Sequence, residues 1–115
     1  RTNNFHGLKK NSKKSHQKLK SCDENLQKNI KGKTVGVIDD MIETGGTMVC
    51  VCEKCRELGA KKTIAMVTHG VLQSGVDKIK DAYDELFLTN TIKCNGANVD
   101  ISSLIINSIK NKWLF

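Results

Sequence analysis

Residues 37–47 read Val-Ile-Asp-Asp-Met-Ile-Glu-Thr-Gly-Gly-Thr, and this stretch decides the fold. The β-favouring run at 34–38 predicts a short buried strand that delivers Asp39 and Asp40 at its C-terminal end. Between residues 46 and 58, apolar side chains recur every three or four positions, which predicts an amphipathic helix. A strand, an acidic pair, a glycine-threonine loop and a helix are therefore expected in that order.

The remainder of the chain alternates in the same way. Gly59 suits the C-terminal cap of the first helix. Further strands are predicted at 62–68, 85–88 and 98–101, and further helices at 76–83 and from 101 onward. Strands that alternate with helices pair in parallel through right-handed crossovers. The sequence therefore predicts an α/β fold, a three-layer, open, mainly parallel sheet with flanking helices on both faces, and ligands at the carboxyl ends of its strands.

The formal charge of +7 is concentrated near the start of the chain. Residues 1–32 carry nine Lys or Arg and two acidic residues, whereas residues 33–115 carry ten of each. Because residues 1–31 lack a sustained apolar period, we expect a basic leader there that is largely loop, followed by one domain at 32–115. The leader has almost no aromatic side chains on which bases could stack, so a nucleic-acid partner is not expected.

The cysteines and the hydropathy restrict the compartment. Five cysteines, an odd number, do not suggest a disulfide framework, and a cytoplasmic location is expected. Cys52 and Cys55 fall on the apolar stripe of the first helix, so we interpret them as core residues rather than zinc ligands. No run approaches the roughly 18 apolar residues that a membrane span needs, and no membrane partner is expected.

The loop has the composition of a phosphate-binding site. Gly45 and Gly46 let backbone amides approach an anion closely, at the positive end of the helix dipole. Thr44 and Thr47 add hydroxyl donors. The loop lacks the lysine of nucleotide-binding loops, which favours a monophosphate over a nucleotide tail.

The acidic residues suggest that this stretch binds a polyol or a cation. Asp39 and Asp40 would accept hydrogen bonds from vicinal hydroxyls or hold a divalent cation. Glu43 would repel a bound phosphate unless it points away or accepts from the loop's own amides, and we adopt the second interpretation as a hypothesis. The alternative for the whole stretch is a plain strand-to-helix turn, with Thr44 as the N-cap and solvated acids.

The stretch from Asp39 to Thr47 resembles the phosphoribosyl-diphosphate loop shared by type I phosphoribosyltransferases and ribose-phosphate pyrophosphokinases (PRPP synthetases). Further similarity to the C-terminal domain of the pyrophosphokinases lies at residues 53–62, 68–70, 74–75, 84–85 and 89–92. The resemblance covers about residues 31–110. It implies a type I phosphoribosyltransferase-like fold and the C-terminal half of a longer, homo-oligomeric enzyme.

The activity implied by the resemblance is transfer of a diphosphate group from ATP to the C1 hydroxyl of ribose 5-phosphate, with Mg²⁺. Asp39 and Asp40 would contact the ribose hydroxyls and could hold the magnesium through the substrate. The residues that would hold the 5-phosphate are Glu43, Thr44, Gly45, Gly46 and Thr47. The family usually has Asp where Glu43 stands, and Glu is longer by one methylene.

Two further residues are weighed from the resemblance and their position. The family carries a catalytic Lys on a mobile loop upstream, and a gap-free count places it at Lys13, with Lys9, Lys10 and Lys14 as substitutes. His69 follows a strand and would either face the ligand crevice or support the neighbouring loop.

Two other functions compete with the pyrophosphokinase. One is a non-catalytic regulatory subunit associated with the synthetase, and the other is a type I phosphoribosyltransferase. Since the family builds its ATP site largely from another domain and a neighbouring subunit, this chain alone is expected to be inactive.

Overall fold

A computed structural model describes residues 24–113, with only the backbone described at Trp113. Helices and strands alternate along most of this part of the chain. In order they are α1 (Glu24–Ile30), β1 (Thr34–Ile42), α2 (Gly46–Glu57), β2 (Lys62–Gly70), α3 (Gln73–Ala82), β3 (Glu85–Leu88) and α4 (Ser102–Trp113).

The three strands form one parallel sheet in the order β1-β2-β3. Helix α2 connects β1 to β2 and α3 connects β2 to β3, as expected of parallel neighbours joined by helical crossovers. Ala65 of β2 lies between Val37 of β1 and Leu86 of β3. The prediction of a parallel α/β sheet is thus confirmed.

The core lies between the sheet and helices α2 and α3. It is formed by the buried residues Ile42, Met48, Cys52, Ala65, Val67, Val76, Ile79, Tyr83 and Leu88. Cys52 belongs to this cluster, and Cys55 belongs to a second one that also contains Val51. The interpretation of these two thiols as core residues is confirmed.

Helix α1 corrects the prediction of loop through residues 24–30. Leu26 and Ile30 are buried and pack with Val51 and Cys55 of α2. They are four residues apart, which places them on the same side of a helix. A seven-residue helix with two apolar positions is too short to give a periodic signal in the sequence, so its packing against α2 decides its conformation.

The second face of the sheet is open within residues 24–113, which corrects the three-layer prediction for that part of the chain. Ile38 is 68% exposed and lies in register with Met66, which in turn pairs with Phe87, 44% exposed. Helix α4 does not provide the missing layer, because its Leu104 is 67% exposed. The described helices α1 to α3 all pack on the opposite face.

Several boundaries differ from the predicted ones. Strand β1 ends at Ile42 rather than at residue 38, because Met41 and Ile42 pair with His69 and Gly70. Helix α3 begins at Gln73, three residues earlier than predicted.

The predicted strand at 98–101 is reduced to a single bridge between Thr89 and Val99. The side chain of Asn98 accepts from the Leu88 amide and donates to the Leu86 carbonyl. Together with main-chain hydrogen bonds from the Asn98 and Val99 amides to the Leu88 carbonyl, it ties this segment to the end of β3.

Within residues 24–113, no helix has the length and apolar character that crossing a membrane requires.

Asp84, between α3 and β3, holds the start of β2. Its Oδ2 accepts hydrogen bonds from the Thr63 amide at 2.7 Å and the Thr63 hydroxyl at 3.2 Å. Arg56 lies 3.7 Å from its other carboxylate oxygen. The Thr63 amide hydrogen bond is the main cause that lowers the pKa of Asp84, and the Thr63 hydroxyl and Arg56 act in the same direction.

Asp84→Asn should therefore lower the free energy of unfolding in a pH-dependent way. A carboxyl group with a lowered pKa in the folded state stabilises the fold above its unfolded pKa, about 3.9 for Asp. That contribution is lost as the pH falls through the folded-state pKa. Urea unfolding at pH 7 and at about pH 2.5 should show a larger difference between the two proteins at pH 7 than at the acidic pH. An equal difference at both pH values would mean that the charge of Asp84 is irrelevant.

Candidate functional site

Asp39 and Asp40 lie inside β1, before its last residue Ile42, rather than at the strand tip as predicted. Consecutive residues of a strand point to opposite faces. Asp39 is therefore on the helix-covered face and is half-buried, whereas Asp40 is exposed on the open face. Each carboxylate accepts a hydrogen bond from the next amide, at 2.9 Å from Asp40 and 2.8 Å from Met41. These contacts hold both side chains beside the backbone at the carboxyl edge of the sheet.

The loop between β1 and α2 turns at Gly45. This residue is the N-cap of α2 and has a φ of 80°, in the left-handed region that favours glycine. Its carbonyl accepts from the Val49 amide at 3.1 Å, so the helix begins directly after it. The Thr44 hydroxyl is 3.5 Å from the Gly46 amide, which is at the long limit for a hydrogen bond.

The alternative with Thr44 as the N-cap is therefore not realised. Because the N-cap is a glycine, no side chain of that residue covers the start of α2. The positive end of the helix dipole faces the loop without a side-chain cap, as an anion-binding site requires.

The acidic pair and the loop line one cleft of about 400 Å³. Six of the seven residues predicted to bind substrate line it, namely Asp39, Asp40, Glu43, Thr44, Gly45 and Thr47. Gly46 is exposed next to them. The apolar wall is formed by Met41, Ile42, Met48 and Ile79. Among the described residues that line the cleft there are three carboxylates and no Lys or Arg.

Tyr83 supports the cleft from beneath and was not singled out from the sequence. Its buried hydroxyl donates to the Met48 carbonyl at 2.7 Å, which joins the first turn of α2 to the end of α3. Burial is the main cause that raises the pKa of Tyr83, and nearby groups that include Asp39 add to it. A lone tyrosine after an amphipathic helix carries no sequence signal for such a contact.

His69 lies beside the cleft but does not line it. It pairs with Met41 across the strands, and its Nδ1 is 2.7 Å from the Thr91 hydroxyl. Thr91 in turn donates to the Thr68 carbonyl at 3.0 Å. Of the two roles considered for His69, these contacts favour support of the loop after β3.

Comparison with known proteins identifies the family of this chain. A family model described as "Phosphoribosyl synthetase-associated domain" matches residues 7–113. This chain belongs to that family. The match extends over nearly the whole sequence, including all of the described elements.

Similar proteins carry the name ribose-phosphate pyrophosphokinase. The one from Pyrococcus furiosus is 43% identical over 79 residues, which cover 68% of this chain and 28% of that protein. The one from Thermococcus kodakarensis is 47% identical over 63% of this chain and 26% of its own length. The phosphoribosyl synthetase-associated domain thus spans little more than a quarter of the length of these relatives.

A solved structure shares the fold. The phosphoribosylpyrophosphate synthetase from Mycobacterium smegmatis superposes with a TM-score of 0.59 at 32% identity, covering 70% of this chain and 30% of that one. The phosphoribosyl synthetase-associated domain therefore matches part of a synthetase both in sequence and in the arrangement of its backbone.

Two predictions remain, the catalytic lysine and the magnesium site. Lys13 and its substitutes lie outside the described residues. Within residues 24–113, no group of three or more His, Cys, Asp or Glu side chains could hold a metal ion. Two carboxylates, Asp39 and Asp40, fit a Mg²⁺ ion only as part of a set completed by oxygens of a ligand and water.

Proposed function

We propose that this chain forms the ribose 5-phosphate half of a ribose-phosphate diphosphokinase with a type I phosphoribosyltransferase-like fold. One observation carries the proposal. The two aspartates of β1 and the glycine-initiated start of α2 line the same cleft. Carboxylates that can accept hydrogen bonds from sugar hydroxyls therefore lie in the same cleft as a helix N-terminus that can bind a phosphate, and a sugar phosphate requires both.

In this proposal the 5-phosphate binds at the start of α2. The amides that follow Gly45 and the hydroxyls of Thr44 and Thr47 donate to its oxygens. Asp40, exposed at the sheet edge, accepts hydrogen bonds from the ribose hydroxyls, and Asp39 does so from the wall beside α2. The exposed side chain of Glu43 lies on the same loop and adds negative charge beside the phosphate.

Magnesium follows from the same charges. Because three carboxylates line the cleft, an anionic sugar phosphate meets repulsion there unless a cation reduces it. Asp39 and Asp40, from opposite faces of β1, would each contact Mg²⁺ through oxygens of the substrate, and the ion would supply positive charge for the diphosphate being transferred. ATP would be the diphosphate donor, and its site belongs to protein beyond the cleft described above.

The proposal also concerns the rest of the protein. Residues 1–31 would form a basic leader that carries the catalytic loop with Lys13 and joins the substrate domain through α1. Residues 32–115 would form the rest of that domain, as the C-terminal half of a cytoplasmic homo-oligomer. A non-catalytic subunit associated with a synthetase is the second candidate. The absence of Lys and Arg from the described cleft lining favours it.

Calorimetric titration of the chain with ribose 5-phosphate in Mg²⁺ tests the site. Asp40→Ala and Thr47→Ala should each weaken binding by about tenfold or more, since a hydrogen bond to a charged group contributes about 1.5–3 kcal/mol. Asp81→Ala and Thr34→Ala are matched controls, because both residues are exposed and lie outside the cleft. The controls should bind as the parent does. Equal heats from all five proteins would refute the assignment.

A further inference from the structure

A glycine in α3 lies directly beneath the proposed phosphate loop. Gly75 is buried, in the first turn of α3. A Cβ atom added there would lie 1.9 Å from the Glu43 carbonyl oxygen and 3.0 Å from a side-chain carbon of Ile42. The first distance is far below any van der Waals contact, so only a glycine allows this approach.

The contact is reciprocal. A Cβ atom added at Gly45 would lie 2.8 Å from the Gly75 carbonyl oxygen and 3.2 Å from its Cα. Gly45 therefore faces Gly75, Gly75 faces Glu43, and neither glycine can take a side chain without a backbone shift. Gly45 is the N-cap of α2 and lies against the backbone of Gly75. The position of the loop therefore depends on Gly75.

Hydrogen bonds hold the same two segments together. The Val71 amide donates to the Ile42 carbonyl at 2.9 Å, just before the loop begins. On the far side, the Gln73 side chain accepts from the Asn95 amide at 2.9 Å and donates to the Asn95 carbonyl at 2.8 Å. The first turn of α3 is thus fixed from both sides and serves as a platform for the loop.

We propose that Gly75 is a positioning residue for the sugar-phosphate site, acting through the backbone of Glu43 and Gly45 rather than by touching substrate. This inference rests on the proposed function. Replacing Gly75 by alanine would require the Glu43 carbonyl to move away by more than 1 Å, because Cβ atoms essentially never approach another heavy atom within 3.0 Å. A binding constellation must be held within about 0.5 Å of its productive geometry, and in catalysis a misplacement of about 1 Å can cost on the order of a hundredfold in rate.

The test compares Gly75→Ala with Gly36→Ala by titration with ribose 5-phosphate in Mg²⁺. Gly36 is a matched control, because its added Cβ would also be crowded, at 2.6 Å, but by the flexible end of Met66, far from the loop. Gly75→Ala should bind about 10- to 100-fold more weakly, and Gly36→Ala should bind as the parent does. Equal affinities of Gly75→Ala and the parent would overturn the proposal, as would equal losses in both variants.

Amide chemical shifts separate positioning from general destabilisation. In Gly75→Ala, the resonances of residues 43–47 should move, whereas those of β3 and α4 should stay in place. Shifts spread evenly over the chain would overturn the proposal. If the parent itself gives no heat with ribose 5-phosphate, the proposed function fails, and this inference fails with it.

A second variant keeps the proposal testable if Gly75→Ala does not fold. Gln73→Ala removes the two hydrogen bonds to Asn95 that hold the first turn of α3 and adds no bulk. The variant also loses the hydrogen bond from Gln73 to Asp77, and binding should weaken by about fivefold, the factor that one lost hydrogen bond gives if it is expressed in affinity. Unchanged affinity in that variant would overturn the proposal.

Discussion

ATP-dependent formation of 5-phosphoribosyl 1-diphosphate by the 115-residue chain alone should be at least about 10³-fold slower than by a full-length ribose-phosphate pyrophosphokinase assayed beside it. Transfer of a diphosphate group develops negative charge that Lys, Arg or metal ions must neutralise. The described cleft lining holds three carboxylates and no basic side chain. A single cationic group in phosphoryl transfer contributes about 10³–10⁵ in rate.

Binding provides the control for that assay. The chain should give a measurable heat with ribose 5-phosphate in the preparation that makes no product, which would show that the site is folded. Product formation within tenfold of the full-length enzyme would contradict the expectation. In that case Lys13→Ala, assayed in the same way, would show whether the leader supplies the missing charge.

Leu88→Ala should reduce the free energy of unfolding by about 3 kcal/mol. Leu88 is 0% exposed and lies in the core cluster at the end of β3. Its removal leaves a cavity as well as losing the transfer free energy of the side chain. In a chain of this size the melting temperature should fall by roughly 10–20 °C. Urea unfolding followed by circular dichroism measures the change.

Leu104→Ala is the matched control for that substitution. Leu104 is 67% exposed on α4, and alanine is at least as good a helix former as leucine. The free energy of unfolding should change by no more than about 0.5 kcal/mol. A loss at Leu104 equal to that at Leu88 would mean that α4 is packed against a part of the protein outside residues 24–113.

Much of the site was predictable because its signals are local. The order of strand, acidic pair, loop and helix follows from side-chain periods of two and 3.6 residues within residues 34–58. Gly45 could be placed at a turn because a positive φ favours glycine. The seven residues predicted to bind substrate came from one short stretch of the sequence, and six of them line one cleft.

Other features depended on contacts between residues far apart in the sequence. The extension of β1 to Ile42 requires β2 as its partner, and the helical state of residues 24–30 requires α2. Met48 meets Tyr83 across 35 positions, and no local pattern signals that pairing. The open face of the sheet also depends on tertiary structure. Ile38 is a residue type that is usually buried in a strand, yet here it is exposed because no described helix covers that face.

The sequence by itself determined the type and order of the elements from β1 to β3 and the glycine-threonine loop between β1 and α2, because backbone propensity and side-chain period act over a few neighbouring residues. Only the tertiary structure decided where β1 ends and that Gly75 lies under the loop. Those features arise from close packing and hydrogen bonds between segments about 30 residues apart, which a local pattern does not encode.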